Sequence, residues 1–213
     1  MSRQDELLDN LAKVQSVIPA NVKLIVVTKT YPVSDIEILY NAGVRDFGEN
    51  RDQEGAIKAP QIPSDANWHF QGQIQSNKIP SLIEWADYIH SLDDLDHAKK
   101  FNKRLSAPMK FFIQVSLDNQ VGRGGISPEQ LPDFIDEIER LPMINPVGLM
   151  AVAPVDAAPE EAFAKLEGIK AEITRQYPYI EYLSAGMSND FKVAIRHGAT
   201  HIRVGSSILG SRA

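Results

Sequence analysis

The 213-residue chain is 43% hydrophobic and 23% charged, with 13 Gly, 13 Pro and no Cys, a globular composition that excludes collagen-like, disordered and disulfide-stapled classes. Its 28 acidic and 22 basic residues give a net charge of -6, so no basic footprint points to nucleic acid. The start MSRQDELLDN has no apolar leader segment, and no run approaches the roughly 18 apolar residues of a spanning helix, so a cytoplasmic protein away from membranes is expected.

Residues 5–18 place Leu7, Leu8, Leu11, Val14, Val17 and Ile18 at helical spacing before Pro19, which predicts an amphipathic first helix. Short β-rich runs then recur at 24–30, 46–50, 67–72, 88–92, 110–117, 146–153, 181–186 and 201–205. Between them, helical patterns cover 34–42, 95–105, 128–141, 160–177 and 190–197, several closed by Gly or Pro. Segment 77–85 is a weak helix because Pro80 interrupts it. Runs such as Ile25-Val26-Val27 and Phe111-Phe112-Ile113 are nearly continuous in hydrophobicity, as parallel strands covered by helices require. Eight βα units predict one (β/α)8 barrel over residues 1–213 with an extra N-terminal helix. The competing doubly wound sheet lacks its G-x-G-x-x-G turn after Thr30.

A barrel of this kind puts its site at the C-terminal ends of the strands. Alternation along the first strand places Ile25, Val27 and Lys29 on one face, predicting an inward lysine. Burial lowers an ammonium pKa and yields an amine able to form a Schiff base with an aldehyde; alternatively the stem packs and the head reaches solvent. The last strand carries His201 and Arg203 on one face and is followed by Gly205-Ser206-Ser207, a turn whose free N–H groups suit an anion. Ser184-Ala185-Gly186-Met187-Ser188 supplies a second small-residue turn after strand seven, and phosphate often binds after strands seven and eight. Asn50, His69 and Met150 end or occupy other strands at the same mouth. A lysine, amide or imidazole groups, apolar packing and phosphate-binding turns together suit pyridoxal 5'-phosphate. The plainer alternatives are that Trp68, Phe70 and Met150 are core and that His69 is a satisfied buried histidine. Gly122-Arg123-Gly124-Gly125 lacks the Lys-Ser/Thr ending of a P-loop, and the five histidines show no metal spacing, so no metal is expected.

In order along nearly the whole chain, Val26-Val27-Thr28-Lys29-Thr30, Gly48-Glu49-Asn50-Arg51, Trp68-His69-Phe70-Gln71-Gly72, Gly148-Leu149-Met150, Leu183-Ser184-Ala185-Gly186-Met187-Ser188 and Arg203-Val204-Gly205 resemble the pyridoxal phosphate homeostasis protein family (YggS/PROSC). The resemblance implies an alanine-racemase-like barrel (fold type III), with Lys29 carrying the cofactor as an aldimine, Arg203 beside the pyridine nitrogen, and Ser188, Gly205 and Ser206 at the phosphate. An arginine there disfavours protonation of that nitrogen, so the ring is a weaker electron sink and suits a holder of the cofactor. The chain departs from the family at Arg123-Gly124-Gly125, where a lysine-containing turn is common, and at Ala185, where Met is more usual.

Two functions follow. One is a non-catalytic carrier that holds pyridoxal phosphate and supplies PLP-dependent apo-enzymes. The other is an amino-acid racemase or decarboxylase. Racemases of this type take a catalytic tyrosine from an added β domain and a partner subunit, whereas here three residues follow Gly210, which favours the carrier. A single barrel can stand as a monomer. A class I aldolase would explain a lysine and a phosphate site but not the ordered motifs.

Overall fold

The computed structural model describes residues 2–118 and 124–210. Helix α1 (Arg3–Gln15) opens with a capping box in which the Ser2 hydroxyl accepts from Asp5 N–H and the Asp5 carboxylate accepts from Ser2 N–H. Its buried face of Leu7, Leu11 and Val14 stabilises the fold by about 2 kcal/mol per side chain. Strands β1 (Lys23–Val27), β2 (Asp46–Glu49), β3 (Asn67–Phe70), β4 (Tyr88–Leu92), β5 (Met109–Gln114), β6 (Ile144–Met150), β7 (Tyr182–Ser184) and β8 (His201–Val204) form a closed parallel barrel in sequence order. Closure comes from β8 pairing with β1, with Lys23 opposite His201 and Ile25 opposite Arg203.

The helices α2 (Val33–Asn41), α3 (Asp52–Lys58), α4 (Ile79–Trp85), α5 (Leu95–Arg104), α6 (Leu131–Glu139), α7 (Pro159–Gln176) and α8 (Phe191–Arg196) connect the strands, and α9 (Ser206–Leu209) follows β8. Between helices and barrel lies the main core, which includes Val26, Phe47, Trp68, Ile89, Phe111, Leu149 and Ile202 from the strands with Leu39, Leu82, Phe101, Ile135 and Phe163 from the helices. Inside the barrel the composition changes. A small apolar group of Phe112, Val147 and Met150 accompanies buried His69, His90, Ser184, His201 and Arg203. Branched aliphatics usually fill that space.

One expectation about the helices needs correcting, and one helix was not anticipated. Pro80 does not interrupt α4: it lies in the first turn, where its missing N–H would have had no intrahelical partner. The helix α3 carries no strong apolar period and escapes the sequence pattern, yet Gly55 lets it lie against Trp85, whose ring carbon Cζ2 sits 2.3 Å from where a Cβ would be. Among the described residues no helix is long and apolar enough to cross a membrane.

Candidate functional site

Strand β1 ends at Val27, so Lys29 lies in the following turn rather than on the strand. Tyr31 N–H donates to Thr28 O across that turn, and Thr30 takes φ +70°. A positive φ at the third residue is what a type II turn requires, and for β-branched threonine it costs roughly 1–3 kcal/mol. A buried ionic knot holds the turn. Lys58 Nζ donates to Thr28 O (2.9 Å), Glu49 Oε1 (2.8 Å) and Glu54 Oε2 (2.8 Å). The Thr28 hydroxyl donates to Glu49 Oε1 and Thr30 N–H donates to Glu54 Oε2, both at 2.6 Å. Burial raises the Glu49 pKa despite these partners. Burial also acts to raise that of Glu54, but the Lys58 ammonium and the Thr30 N–H outweigh it and hold the carboxyl below its usual value.

Half-buried Lys29 faces a cavity of about 520 Å³ at the C-terminal mouth of the barrel. Of the ten residues expected at the site, Lys29, Asn50, Met150, Ser188, Arg203, Gly205 and Ser206 line it, together with Tyr31, Gln71 and Asp190. The buried Arg203 guanidinium donates from Nη1 to Ser184 O (2.7 Å) and Ser184 Oγ (2.8 Å), and from Nη2 to Ala151 O (2.9 Å). Burial pushes its pKa down to about 10, with Asp190 opposing, so it is a cation at neutral pH. Across the turns after β7 and β8, the Ser188 hydroxyl oxygen accepts from Gly205 N–H (3.2 Å) and Ser207 N–H (3.3 Å). These N–H groups converge on one acceptor position.

Three expected residues lie behind the cavity wall. Ser184 is fully buried under Arg203. Gly186, at φ +89°, gives its carbonyl to Arg203 N–H and could not carry a side chain, since a Cβ would meet Phe191 Cα at 2.7 Å. His69 is fully buried deeper in the barrel, with Nδ1 2.9 Å from His90 Nε2 and Nε2 3.0 Å from Asp46 Oδ1. Its satisfied buried-histidine alternative is the one the geometry matches, because strand alternation sets its face but not its height along the barrel. Gln71, two residues further along the same face, does reach the cavity, and that period-two step was the signal available for it. Among the described residues, both Gln71 Nε2 and Asn50 Oδ1 are buried without a hydrogen-bond partner. Gly122 and Arg123 lie outside the described residues; Gly125 N–H donates to Asp93 Oδ2 (2.8 Å).

A closed parallel barrel with a lysine and a buried arginine at its mouth defines the class, and residues 3–213 match the family model for the alanine racemase N-terminal domain. The alanine racemase of Corynebacterium glutamicum shares this fold (TM-score 0.79, 13% identity), with the chain covering 60% of that enzyme. Within the class, the chain is 39% identical over 202 residues to a pyridoxal phosphate homeostasis protein of Corynebacterium glutamicum, covering 90% of this chain and 91% of the relative. Its likeness to PipY of Synechococcus elongatus with PLP bound has a TM-score of 0.88 at 34% identity, over 96% of this chain and all of that one. The chain belongs to the alanine racemase N-terminal domain family and, within it, to the pyridoxal phosphate homeostasis proteins.

Proposed function

We propose that this protein binds pyridoxal 5'-phosphate covalently at Lys29 and takes part in holding and supplying the cofactor in the cytoplasm, without robust catalysis of its own. The observation that carries this reading is the cavity itself. It brings together an amine (Lys29), a fixed cation (Arg203), the Ser188 hydroxyl and Gly205 N–H of the two adjoining turns, and, on Asn50 and Gln71, two amide atoms without partners among the described residues. Buried polar atoms without partners cost about 1–3 kcal/mol each, and a ring with polar substituents would satisfy them. When bound, the cofactor supplies an aldehyde that condenses with an amine with loss of one water. Lys29 would be the point of attachment, Met150 would pack against the ring, Arg203 would face the pyridine edge, and Ser188, Gly205 and Ser206 would serve the phosphate, with Ser184 and Gly186 supporting Arg203 from behind. PLP bound in PipY supports the same reading.

Two candidate second bases, His69 and Tyr31, are otherwise engaged, which favours a holder over a racemase or decarboxylase. His69 lies behind the wall, between Asp46 and His90, and the Tyr31 hydroxyl is engaged with Gly210 O at 2.6 Å. The expected state is a monomer, with apo-enzymes as recipients and neither nucleic acid nor membrane as partner.

The test is to add pyridoxal phosphate, reduce with borohydride, map the modified residue by mass spectrometry, and offer the unreduced complex a panel of amino acids. An adduct on Lys29 without turnover is the expected result, and Lys29→Ala should abolish it while leaving weak noncovalent binding. An adduct persisting in Lys29→Ala would overturn the attachment site, and racemised or decarboxylated product would make the protein an enzyme.

A further inference from the structure

The interior of the barrel holds a continuous file of polar side chains that starts at Arg203 in the cavity wall and runs away from the cofactor site. From the cavity inward it runs Arg203 Nη1 to Ser184 Oγ (2.8 Å), Ser184 Oγ to His90 Nδ1 (2.9 Å), His90 Nε2 to His69 Nδ1 (2.9 Å), and His69 Nε2 to Asp46 Oδ1 (3.0 Å). Lys23 Nζ donates to the same Asp46 oxygen at 3.0 Å. Ring stacking fixes both imidazoles, His69 on Tyr88 with centroids 4.4 Å apart and His90 on Phe112 at 4.2 Å.

The direction of every bond in this file follows from its two ends. The Asp46 carboxylate only accepts, so neutral His69 carries its proton on Nε2 and accepts at Nδ1. Neutral His90 then donates from Nε2 to His69 Nδ1 and accepts at Nδ1. The Ser184 hydroxyl therefore donates to His90 Nδ1, while its oxygen accepts from the Arg203 guanidinium, which only donates. The opposite direction would need a proton on Asp46 beside the Lys23 ammonium. An additional proton on His69 Nδ1 would face the His90 Nε2–H and set two hydrogens against each other inside the barrel. Burial, which lowers the pKa of both histidines, acts in the same sense.

Resting on the reading of Lys29 and Arg203 as cofactor contacts, we propose that Asp46, His69, His90 and Ser184 are positioning residues. The file locks the Ser184 hydroxyl so that its lone pair faces Arg203, and thereby fixes the guanidinium edge at the cavity. Without the His90 acceptor the hydroxyl can turn its own proton toward the guanidinium, and Arg203 loses one of its three acceptor atoms.

The first measurement needs neither cofactor nor mutation. Imidazole 15N spectra of the cofactor-free protein at pH 7 should show His69 and His90 both neutral with the proton on Nε2; an Nδ1–H tautomer or an imidazolium at either position overturns the file. In the same cofactor-free state, exchange of the Arg203 guanidinium protons with water should be about tenfold faster in Ser184→Ala and His90→Phe than in the wild type, the scale of one charge-assisted hydrogen bond. Ser184→Thr, which keeps the hydroxyl, should stay within about twofold. Unchanged exchange in folded Ser184→Ala and His90→Phe overturns the positioning role. With pyridoxal phosphate 15N-labelled in the ring, the same two variants should move the pyridine nitrogen signal toward its protonated position and raise the dissociation constant about tenfold. Failure of the wild type to take up the cofactor would refute the proposed function alone, because the cofactor-free spectra decide the file separately.

Discussion

Acid should destabilise this barrel from its interior, and His201 gives the magnitude. Its ring is 5% exposed, set edge-on to Phe112 and Tyr182 with centroids 5.1 Å away. Burial first, then the nearby His69 and Lys23, push its pKa from 6.5 down to about 3. Between those values the folded chain binds fewer protons than the unfolded one, so stability rises with pH and is lost on acidification below about 6.5. At about 1.36 kcal/mol per pH unit, His201 alone removes about 2 kcal/mol between pH 6.5 and 5. With a urea slope of about 2 kcal/mol/M, that moves the midpoint by about 1 M. His69 and His90 act in the same direction, whereas Glu49 and Asp93, whose pKa values burial raises, oppose it above the ordinary carboxylate range. The discriminating comparison is therefore the slope of stability against pH in the wild type and in His201→Phe, which keeps the ring packing and does not titrate. The variant should lose about one proton of slope between pH 6 and 5, whatever its absolute stability. Identical slopes would refute the assignment of His201 as a buried neutral imidazole.

Lys58→Met should lower stability by about 3 kcal/mol, because it leaves the fully buried Glu49 without its ammonium partner; a thermal melt within experimental error of the wild type would show that the knot under the Lys29 turn is dispensable. Gly72→Ala would place a Cβ 2.0 Å from Asn50 O, so the two mouth loops must part, with an expected loss of about 1–3 kcal/mol and weaker cofactor uptake. Urea unfolding and cofactor titration check both effects, and a variant equal to the wild type in both would refute the close approach of these loops.

Much of this architecture was legible in the residues. The strand runs, the order of strands and helices, and the cluster of Lys29, Arg203 and the Ser188 and Gly205 turns follow from periodicity and from where a barrel puts its strand ends. Depth along the strand axis was not legible. His69 and Gln71 share a face by alternation, yet one belongs to the interior file and the other to the cavity wall, because strand stagger around a barrel decides height and no local pattern encodes it. The same reason hid His90, whose importance comes from residues 21 and 94 positions away in the chain. Pro80 misled for a different reason: a proline terminates or begins a helix depending on which turn it occupies, and the short 3-10 segment Ser76–Lys78 that precedes α4 gives little periodic signal.

The pairing of β8 with β1 also orders events in time. Lys29 belongs to the first strand–turn unit, while Arg203, Gly205 and Ser206 come from the last, and the Tyr31 hydroxyl meets Gly210 O across 179 positions of chain. A polypeptide emerging from the ribosome therefore displays its amine long before the neighbouring last strand exists. Such long-range closure raises contact order and slows folding. A truncated product ending before β8 would have two open sheet edges and a cavity wall lacking Arg203, Gly205, Ser206 and Gly210.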